Sequence, residues 1–159
     1  MKERDLLKAV AEYVIAEGSD KDFALERIKK MLVGFDLSDQ ERQMETMARE
    51  LLQELGCPWN LKGHDRLVRA MTLTALDPTM AQGITKRLYP EVAKQFGENS
   101  WQTERNIRTA VEEIFMRGNL MGIHSYFGAG ADVEKGKLTN KAFIIRTAQI
   151  IRQRAGIGV

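Results

Sequence analysis

The sequence predicts an all-α protein, a multi-helix bundle that contains a helix-turn-helix and carries an additional N-terminal helical hairpin. Apolar residues recur at three- and four-residue spacings through most of the chain, which is the period of an amphipathic helix. No stretch of four or more residues shows the strict apolar/polar alternation of a half-buried strand. A chain of 159 residues, 43% hydrophobic and 29% charged, suits one well-formed core with an appended helical segment.

The N-terminal segment reads as two helices. The first covers about residues 5–17 and ends at Gly18, and Ser19 has the character of an N-cap for a second helix that stops near Gly34. We therefore predict that residues 1–37 form a helical extension that serves as a dimerisation or partner surface. The alternative is that these helices dock on the core of the rest of the chain.

The next two helices are also marked by local signals. Ser38 with Glu41 three residues later forms a capping box, and the helix that it opens ends at Gly56. The segment CPWNLKG is punctuated by Pro and Gly and is predicted to be a turn. A further helix covers about residues 64–76, where an Asp-Pro dipeptide ends it.

A helix-turn-helix is predicted in the middle of the chain. Residues 83–96 have apolar residues every four positions, although Pro90 must kink this helix or mark its restart. Asn99 or Ser100 caps the following helix, which covers about residues 101–116.

The C-terminal part completes the predicted domain. We expect residues 122–136 to be the loosest part of the chain, and Thr139 or Asn140 to cap a last helix. Residues 38–159 are thus predicted to form one helix-turn-helix domain.

The second helix of the motif has the two faces that DNA reading requires. In such motifs its N-terminal residues enter the major groove, so its inner face must be apolar and its outer face polar. The predicted inner residues are Thr103, Ile107, Ala110, Val111 and Ile114. The predicted outer residues are Gln102, Glu104, Arg105, Arg108, Thr109 and Glu112.

These outer side chains are chemically suited to base readout. Arginine donates two hydrogen bonds to guanine, glutamine pairs with adenine, and glutamate accepts from the cytosine amino group. The helix-terminal N–H groups near Asn99 and Ser100 favour a phosphate. The alternative is that Arg105 and Arg108 form solvated surface pairs with the neighbouring glutamates.

Charge is unevenly distributed along the chain. Residues 1–56 hold 9 Lys and Arg against 13 Asp and Glu, a net charge of −4, whereas residues 57–159 hold 15 against 9, a net charge of +6. Neutralisation of phosphates by Lys and Arg drives non-specific nucleic-acid binding, so a basic C-terminal part favours a polyanionic partner. The alternative is that this charge only keeps the surface soluble.

Several other classes of protein are not indicated. The single cysteine excludes an intramolecular disulfide, no apolar run is long enough to span a bilayer, and the charged start is unlike a signal peptide. We expect a cytoplasmic protein without membrane contact.

Metal and nucleotide sites are not indicated either. The spacing of Cys57, His64 and His124 matches no zinc site, and FGAGAD lacks the full Gly-rich nucleotide fingerprint. No nucleophile motif or facing carboxylate pair occurs, so neither an enzyme nor a cofactor is predicted.

A set of separated blocks carries a family resemblance: LGCPWNLKG, GITKRLYPEVAKQFG, ERNIRTAVE, RGN, YFG and LTNKAF. From Leu51 to Arg152 the chain resembles, essentially without gaps, the C-terminal effector domain of the sporulation master response regulator of spore-forming Gram-positive bacteria. The resemblance implies a six-helix DNA-binding domain that acts on promoters and recruits or blocks RNA polymerase. It also implies that GITKRLYPEVAKQF is the supporting helix and QTERNIRTAVEEIF the recognition helix.

The resemblance extends to individual residues, with two departures. Glu104, Arg105 and Arg108 match recognition residues of the family, and Thr85 and Lys86 are candidates for phosphate contact. Gln102 stands where the family has a base-reading arginine and Thr109 where it has a histidine, so the preferred DNA sequence is expected to differ. The family's receiver domain has no counterpart in the roughly 50 residues that precede the match, and regulation by phosphorylation is not carried over.

The sequence therefore predicts a sequence-specific regulator of transcription that binds double-stranded DNA. The base-reading candidates are Gln102, Glu104, Arg105 and Arg108, and the backbone candidates are Thr85, Lys86, Asn99, Ser100 and Thr109. The alternative is a receiverless helical interaction module that binds a regulator, RNA polymerase or a second copy of itself. A homodimer through the N-terminal helices would be compatible with either.

Overall fold

A computed structural model of the protein describes residues 39–128 and 138–157. Within these ranges the secondary structure is helical and contains no strand, so the all-α prediction is confirmed. The predicted N-terminal hairpin, the domain division at residue 37 and the Ser38 cap lie outside the described residues. The α-helices of the described ranges are α1 (residues 39–54), α2 (Lys62–Leu76), α3 (Tyr89–Phe96), α4 (Ser100–Arg117), α5 (Leu120–Phe127) and α6 (Asn140–Arg154).

Helix α2 is at the centre of the packing, since it contacts both α4 and α6. Its N-terminal turn approaches α4 so closely that Gly63 has the backbone of Asn106 against its Cα, where a side chain would not fit. Burial of an aliphatic or aromatic side chain stabilises the fold by about 1.5–3 kcal/mol, so the core supplies most of the driving force for folding. Its largest fully buried side chains are Met44, Leu51, Leu52, Leu55, Leu67, Met71, Leu88, Ile107, Ile114, Ile123, Phe143 and Ile144.

The segment before α3 changes helical type twice. Helix α2 ends at the Asp-Pro dipeptide as predicted, and a 3₁₀ helix (Pro78–Gly83) and one π-helical segment (Ile84–Leu88) follow. Helix α3 follows directly at Tyr89, whose N–H donates to the Ile84 carbonyl oxygen, and Pro90 lies in its first turn. The backbone stays right-handed helical through Leu88 and Tyr89, so Pro90 lies where π-helical hydrogen bonding changes to α-helical, and no break separates the two segments.

Helix α5 corrects one expectation. The sequence predicts that residues 122–136 are the loosest part of the chain, but residues 122–127 belong to α5, which Asn119 caps. Gly122 is a packing residue rather than a loop residue, because a Cβ there would lie 2.8 Å from the Glu54 carbonyl oxygen. The ring of Phe127 stacks on Phe143 with 5.4 Å between centroids. The remaining residues of that stretch, 129–137, lie outside the described part of the chain.

The described residues contain neither a membrane-spanning helix nor a metal-binding cluster. No helix there is both long and apolar enough to cross a bilayer. Nor do three His, Cys, Asp or Glu side chains come together there in a way that would hold a metal ion.

The lone cysteine is expected to be chemically inert in the folded protein. Burial raises the pKa of the Cys57 thiol to about 12, and thiol reagents attack the thiolate. At pH 8 we expect Cys57 to react with a disulfide reagent at least about a hundredfold more slowly in the native protein than in urea-unfolded protein. Equal rates measured by absorbance in the two states would contradict this burial.

Candidate nucleic-acid interface

The turn between α3 and α4 is set by a glycine. Gly97 has a φ of 63°, in the left-handed region, and its N–H and that of Glu98 both donate to the Ala93 carbonyl oxygen. Such a glycine ends a helix without the steric cost that a Cβ would add. Only residues 97–99 then separate the two helices, so α4 leaves α3 through a short and fixed turn.

Helix α4 begins with a complete capping box. The Asn99 side-chain oxygen accepts from the Gln102 N–H at 2.9 Å, and the Gln102 side-chain oxygen accepts from the Asn99 N–H at 3.0 Å. Of the two predicted caps, Asn99 is the one that the structure uses, and Ser100 is the first helical residue. Gln102 thus has a capping role that its prediction as a base reader did not include. Its side-chain NH₂ group remains a potential donor on the exposed surface.

The two faces of α4 agree with the predicted periodicity. All five predicted inner residues are buried. On the outer side Gln102, Arg105, Arg108 and Thr109 are exposed, whereas Glu104 and Glu112 are half-buried. The helix therefore rests on the core through one stripe and presents polar side chains from its first turns.

A carboxylate in the turn ties the motif to α2. Glu98 receives hydrogen bonds from Arg66 Nε at 3.0 Å and Nη2 at 3.1 Å, and from the Thr103 hydroxyl at 2.8 Å. The Glu98 and Arg66 side chains are only 12% and 16% exposed, and the guanidinium lies over the Phe96 ring at 4.2 Å from its centroid. These hydrogen bonds, Arg66 above all, hold the pKa of Glu98 below its ordinary value. Sequence reasoning missed Glu98, because its partner Arg66 lies 32 positions away and no local spacing indicates the pair.

The two arginines predicted to read bases have different surroundings. Arg108 donates from Nε and Nη2 to the two carboxylate oxygens of Glu104 one turn earlier, the first bond measuring 3.1 Å. This pairing raises the pKa of Arg108 above its ordinary value. The Arg105 guanidinium instead lies 5.5 Å from the ring centroid of Trp101. The predicted alternative of surface ion pairs thus holds for Arg108 with Glu104, whereas Arg105 has no carboxylate partner among the described residues.

The predicted phosphate-contacting residues flank α4. Thr85 and Lys86 are exposed on the π-helical segment before α3, and Asn99 and Ser100 lie at the start of α4. The Thr109 hydroxyl donates to the Arg105 carbonyl oxygen at 3.1 Å, so its hydrogen is directed at its own helix. Of these residues, Thr85 and Ser100 line one open groove with Glu104 and Arg108, and Thr109 lies on α4 itself.

An open groove of about 860 Å³ runs along the Glu104 and Arg108 side of α4. At its edge the Asn140 side chain donates to the Tyr89 hydroxyl at 3.1 Å and to the Glu104 carbonyl oxygen at 3.2 Å. Asn140 thereby links α3, α4 and the start of α6, while Thr139 is the residue that caps α6. Burial raises the pKa of the Tyr89 hydroxyl, which stays a neutral partner in this junction. Both α3 and α6 thus hold α4 in place.

These features define the class of the domain. A supporting helix, a short turn and a second helix with a buried inner face and an exposed polar outer face form a helix-turn-helix, the arrangement that places a recognition helix in DNA.

Residues 48–151 match the family described as Sporulation initiation factor Spo0A C terminal. Because the match covers well over half of the chain, the protein belongs to this family, and the resemblance noted from Leu51 to Arg152 is confirmed. The family's domain is the DNA-binding domain of a transcription regulator, not a catalytic one. The protein is thus a DNA-binding regulatory protein.

Proposed function

We propose that the protein is a sequence-specific regulator that binds double-stranded DNA by placing the first turns of α4 in the major groove. The observation that carries this proposal is the exposure of Arg105 and Arg108 on a helix whose opposite face is buried in the core. A helix fixed in this way offers its outer side chains to base edges without rearrangement of the fold.

The outer side chains would have distinct roles in this groove. Arg105, with no carboxylate partner among the described residues, would donate two hydrogen bonds to a guanine. Glu104 would orient Arg108 and accept from a cytosine amino group with its remaining lone pairs. Gln102 would use its NH₂ group, since its oxygen is engaged in the helix cap.

The DNA backbone would be held by the residues that flank α4. Thr85 and Lys86 lie on the π-helical segment that opens the supporting helix. Asn99 caps the recognition helix, and Ser100 and Thr109 lie on it. Contacts of this kind fix the register of the protein on the duplex and carry no sequence information by themselves. They would account for binding to any duplex, with the base readers adding the preference.

The Arg105→Ala variant tests the base-reading role. We expect it to lower discrimination between a duplex obtained by in vitro selection and a random duplex by about tenfold, since one bidentate arginine contact contributes about 1–3 kcal/mol. Fluorescence anisotropy across a series of salt concentrations measures both affinities, and wild-type binding should weaken steeply with salt.

A matched control lies at the far end of the same helix. The Arg117 side chain is 76% exposed and only 3.9 Å from Glu113, so Arg117→Ala should preserve discrimination. Equal discrimination by wild type and Arg105→Ala would contradict the assigned role. Absence of salt-sensitive binding to any duplex would overturn the proposed function itself.

One observation favours a second candidate, a protein-interaction module. Met116, Leu120 and Met121 are exposed around the junction of α4 and α5, and exposed apolar side chains of this size are typical of protein contacts. RNA polymerase or a second copy of the chain would then cover them. The Met121→Glu variant should keep its affinity for duplex DNA and should weaken either self-association or binding to polymerase holoenzyme, both measured by sedimentation. If both are unchanged, this candidate is excluded.

A further inference from the structure

An exposed tryptophan stands at the first turn of the proposed recognition helix. The Trp101 side chain is 64% exposed, and the Arg105 guanidinium one turn later lies 5.5 Å from its ring centroid. A cation within about 6 Å of an indole centroid is attracted by the negative charge above the ring face. The ring therefore restrains the direction of a side chain that would otherwise sample many rotamers.

The contact differs from that of the neighbouring arginine in one important way. Arg108 uses its Nε and one Nη in hydrogen bonds to Glu104. The attraction between Arg105 and the indole is a cation–π contact and not a hydrogen bond to a carboxylate, so it does not commit the N–H groups of Arg105 to an acceptor. Trp101 can thus hold Arg105 while leaving its hydrogen-bonding edge free for a base.

We propose that Trp101 is a positioning residue that sets the specificity contributed by Arg105. The inference rests on the proposed function and adds to it a residue that the base-reading set did not contain. An arginine loses considerable rotamer freedom when it is fixed at an interface, and restraint before binding lowers that cost. Two parallel hydrogen bonds to guanine depend on the orientation of the guanidinium plane. Loss of the ring should therefore lower the affinity for the preferred duplex more than the affinity for a random duplex.

Two substitutions of Trp101 distinguish the effect of its aromatic ring from the effect of its apolar volume. We expect Trp101→Leu to lower the discrimination ratio at the base pair read by Arg105 by about fivefold, the size of an exposed to partly desolvated cation–π contact. Trp101→Tyr, which keeps an aromatic face, should stay within about twofold of the wild type. That base pair is identified as the one at which Arg105→Ala loses discrimination. Circular dichroism spectra should be unchanged, because the side chain is exposed.

A double-mutant comparison shows whether Trp101 acts through Arg105. In the Arg105→Ala background, Trp101→Leu should have no further effect on discrimination. A loss of equal size in both backgrounds would overturn the inference and indicate that the indole contacts DNA itself. Full discrimination by Trp101→Leu alone would also overturn it.

The free protein offers a readout that does not involve DNA. In the wild type the side-chain protons of Arg105 should show ring-current shifts in NMR spectra that Trp101→Leu removes and Trp101→Phe largely preserves. Absence of such shifts would overturn the positioning contact even if the protein discriminates between duplexes. Shifts in a protein that binds no duplex would instead mean that the contact exists and that the proposed function has failed.

Discussion

Replacing Gly63 by alanine is expected to lower the free energy of unfolding by about 3 kcal/mol or more, the upper end of the cost of overpacking a core. A Cβ at this position would lie 2.0 Å from the Asn106 carbonyl oxygen and 2.7 Å from the Ala110 Cβ. Both atoms belong to α4, and one is backbone, so no rotamer change relieves the clash. The two helices must separate, and the recognition helix would move with them. Urea unfolding followed by circular dichroism measures the effect.

Gly83→Ala is the matched control for this substitution. There the three atoms nearest to a Cβ all belong to the Arg87 side chain, the closest at 3.0 Å, and a flexible exposed side chain can move aside. We expect a change within about 1 kcal/mol, as is usual for a substitution without a backbone clash. Equal losses in the two variants would mean that α2 and α4 do not approach each other as closely as the structure has them.

Local signals in the sequence were sufficient for most helix boundaries. The Asp-Pro dipeptide after α2, the glycine after α3 and the cap before α6 each act within a few residues, so their effect is visible without the tertiary structure. The Asn-x-x-Gln spacing that forms the α4 cap is a signal of the same kind, although Gln102 is predicted from the sequence only as a base reader.

Long-range packing accounts for what the sequence did not predict. From the sequence alone Gly122 is predicted to lie in a loop. In the structure it is a helical residue packed closely against the Glu54 carbonyl, and no neighbouring residue distinguishes the two roles. The π-helical turn before α3 has no established sequence signature either. Asn140 is predicted as a possible cap, whereas in the structure its side chain joins three helices through contacts with residues 36 and 51 positions away.

In the candidate site, too, some features follow from local sequence and others depend on the tertiary structure. The exposure of Arg105 and Arg108 follows from a helical period of 3.6 residues and was therefore predictable. The contact that each arginine makes cannot be predicted in this way, because its flexible side chain can reach several neighbours. Arg108 contacts Glu104, whereas Arg105 contacts Trp101. The period assigns a face, and only the three-dimensional arrangement assigns a partner.

Replacing Glu98 by glutamine is expected to lower the free energy of unfolding by about 2–3 kcal/mol at neutral pH, the range for charged hydrogen bonds whose partner stays largely buried. Arg66 would keep its charge next to Phe96 without the carboxylate that balances it. The control is Glu45→Gln, whose exposed pair with Arg49 at 3.1 Å should contribute less than about 0.5 kcal/mol. Thermal and urea unfolding compare the three proteins, and equal stability of both variants would contradict the role of Glu98.

The same variant should also change how stability depends on pH. The pKa of Glu98 in the folded protein is below its ordinary value of 4.5, mainly because Arg66 donates to the carboxylate. Above pH 4.5 the charged carboxylate contributes its full stabilisation, and this is lost as the pH falls through the lower folded pKa. The difference in unfolding free energy between wild type and Glu98→Gln should therefore be constant near neutral pH and shrink in acid. The other carboxylates are common to both proteins, so their titration cancels in this difference. If the difference in unfolding free energy stayed constant into acid, Glu98 would not stabilise the turn through its charge.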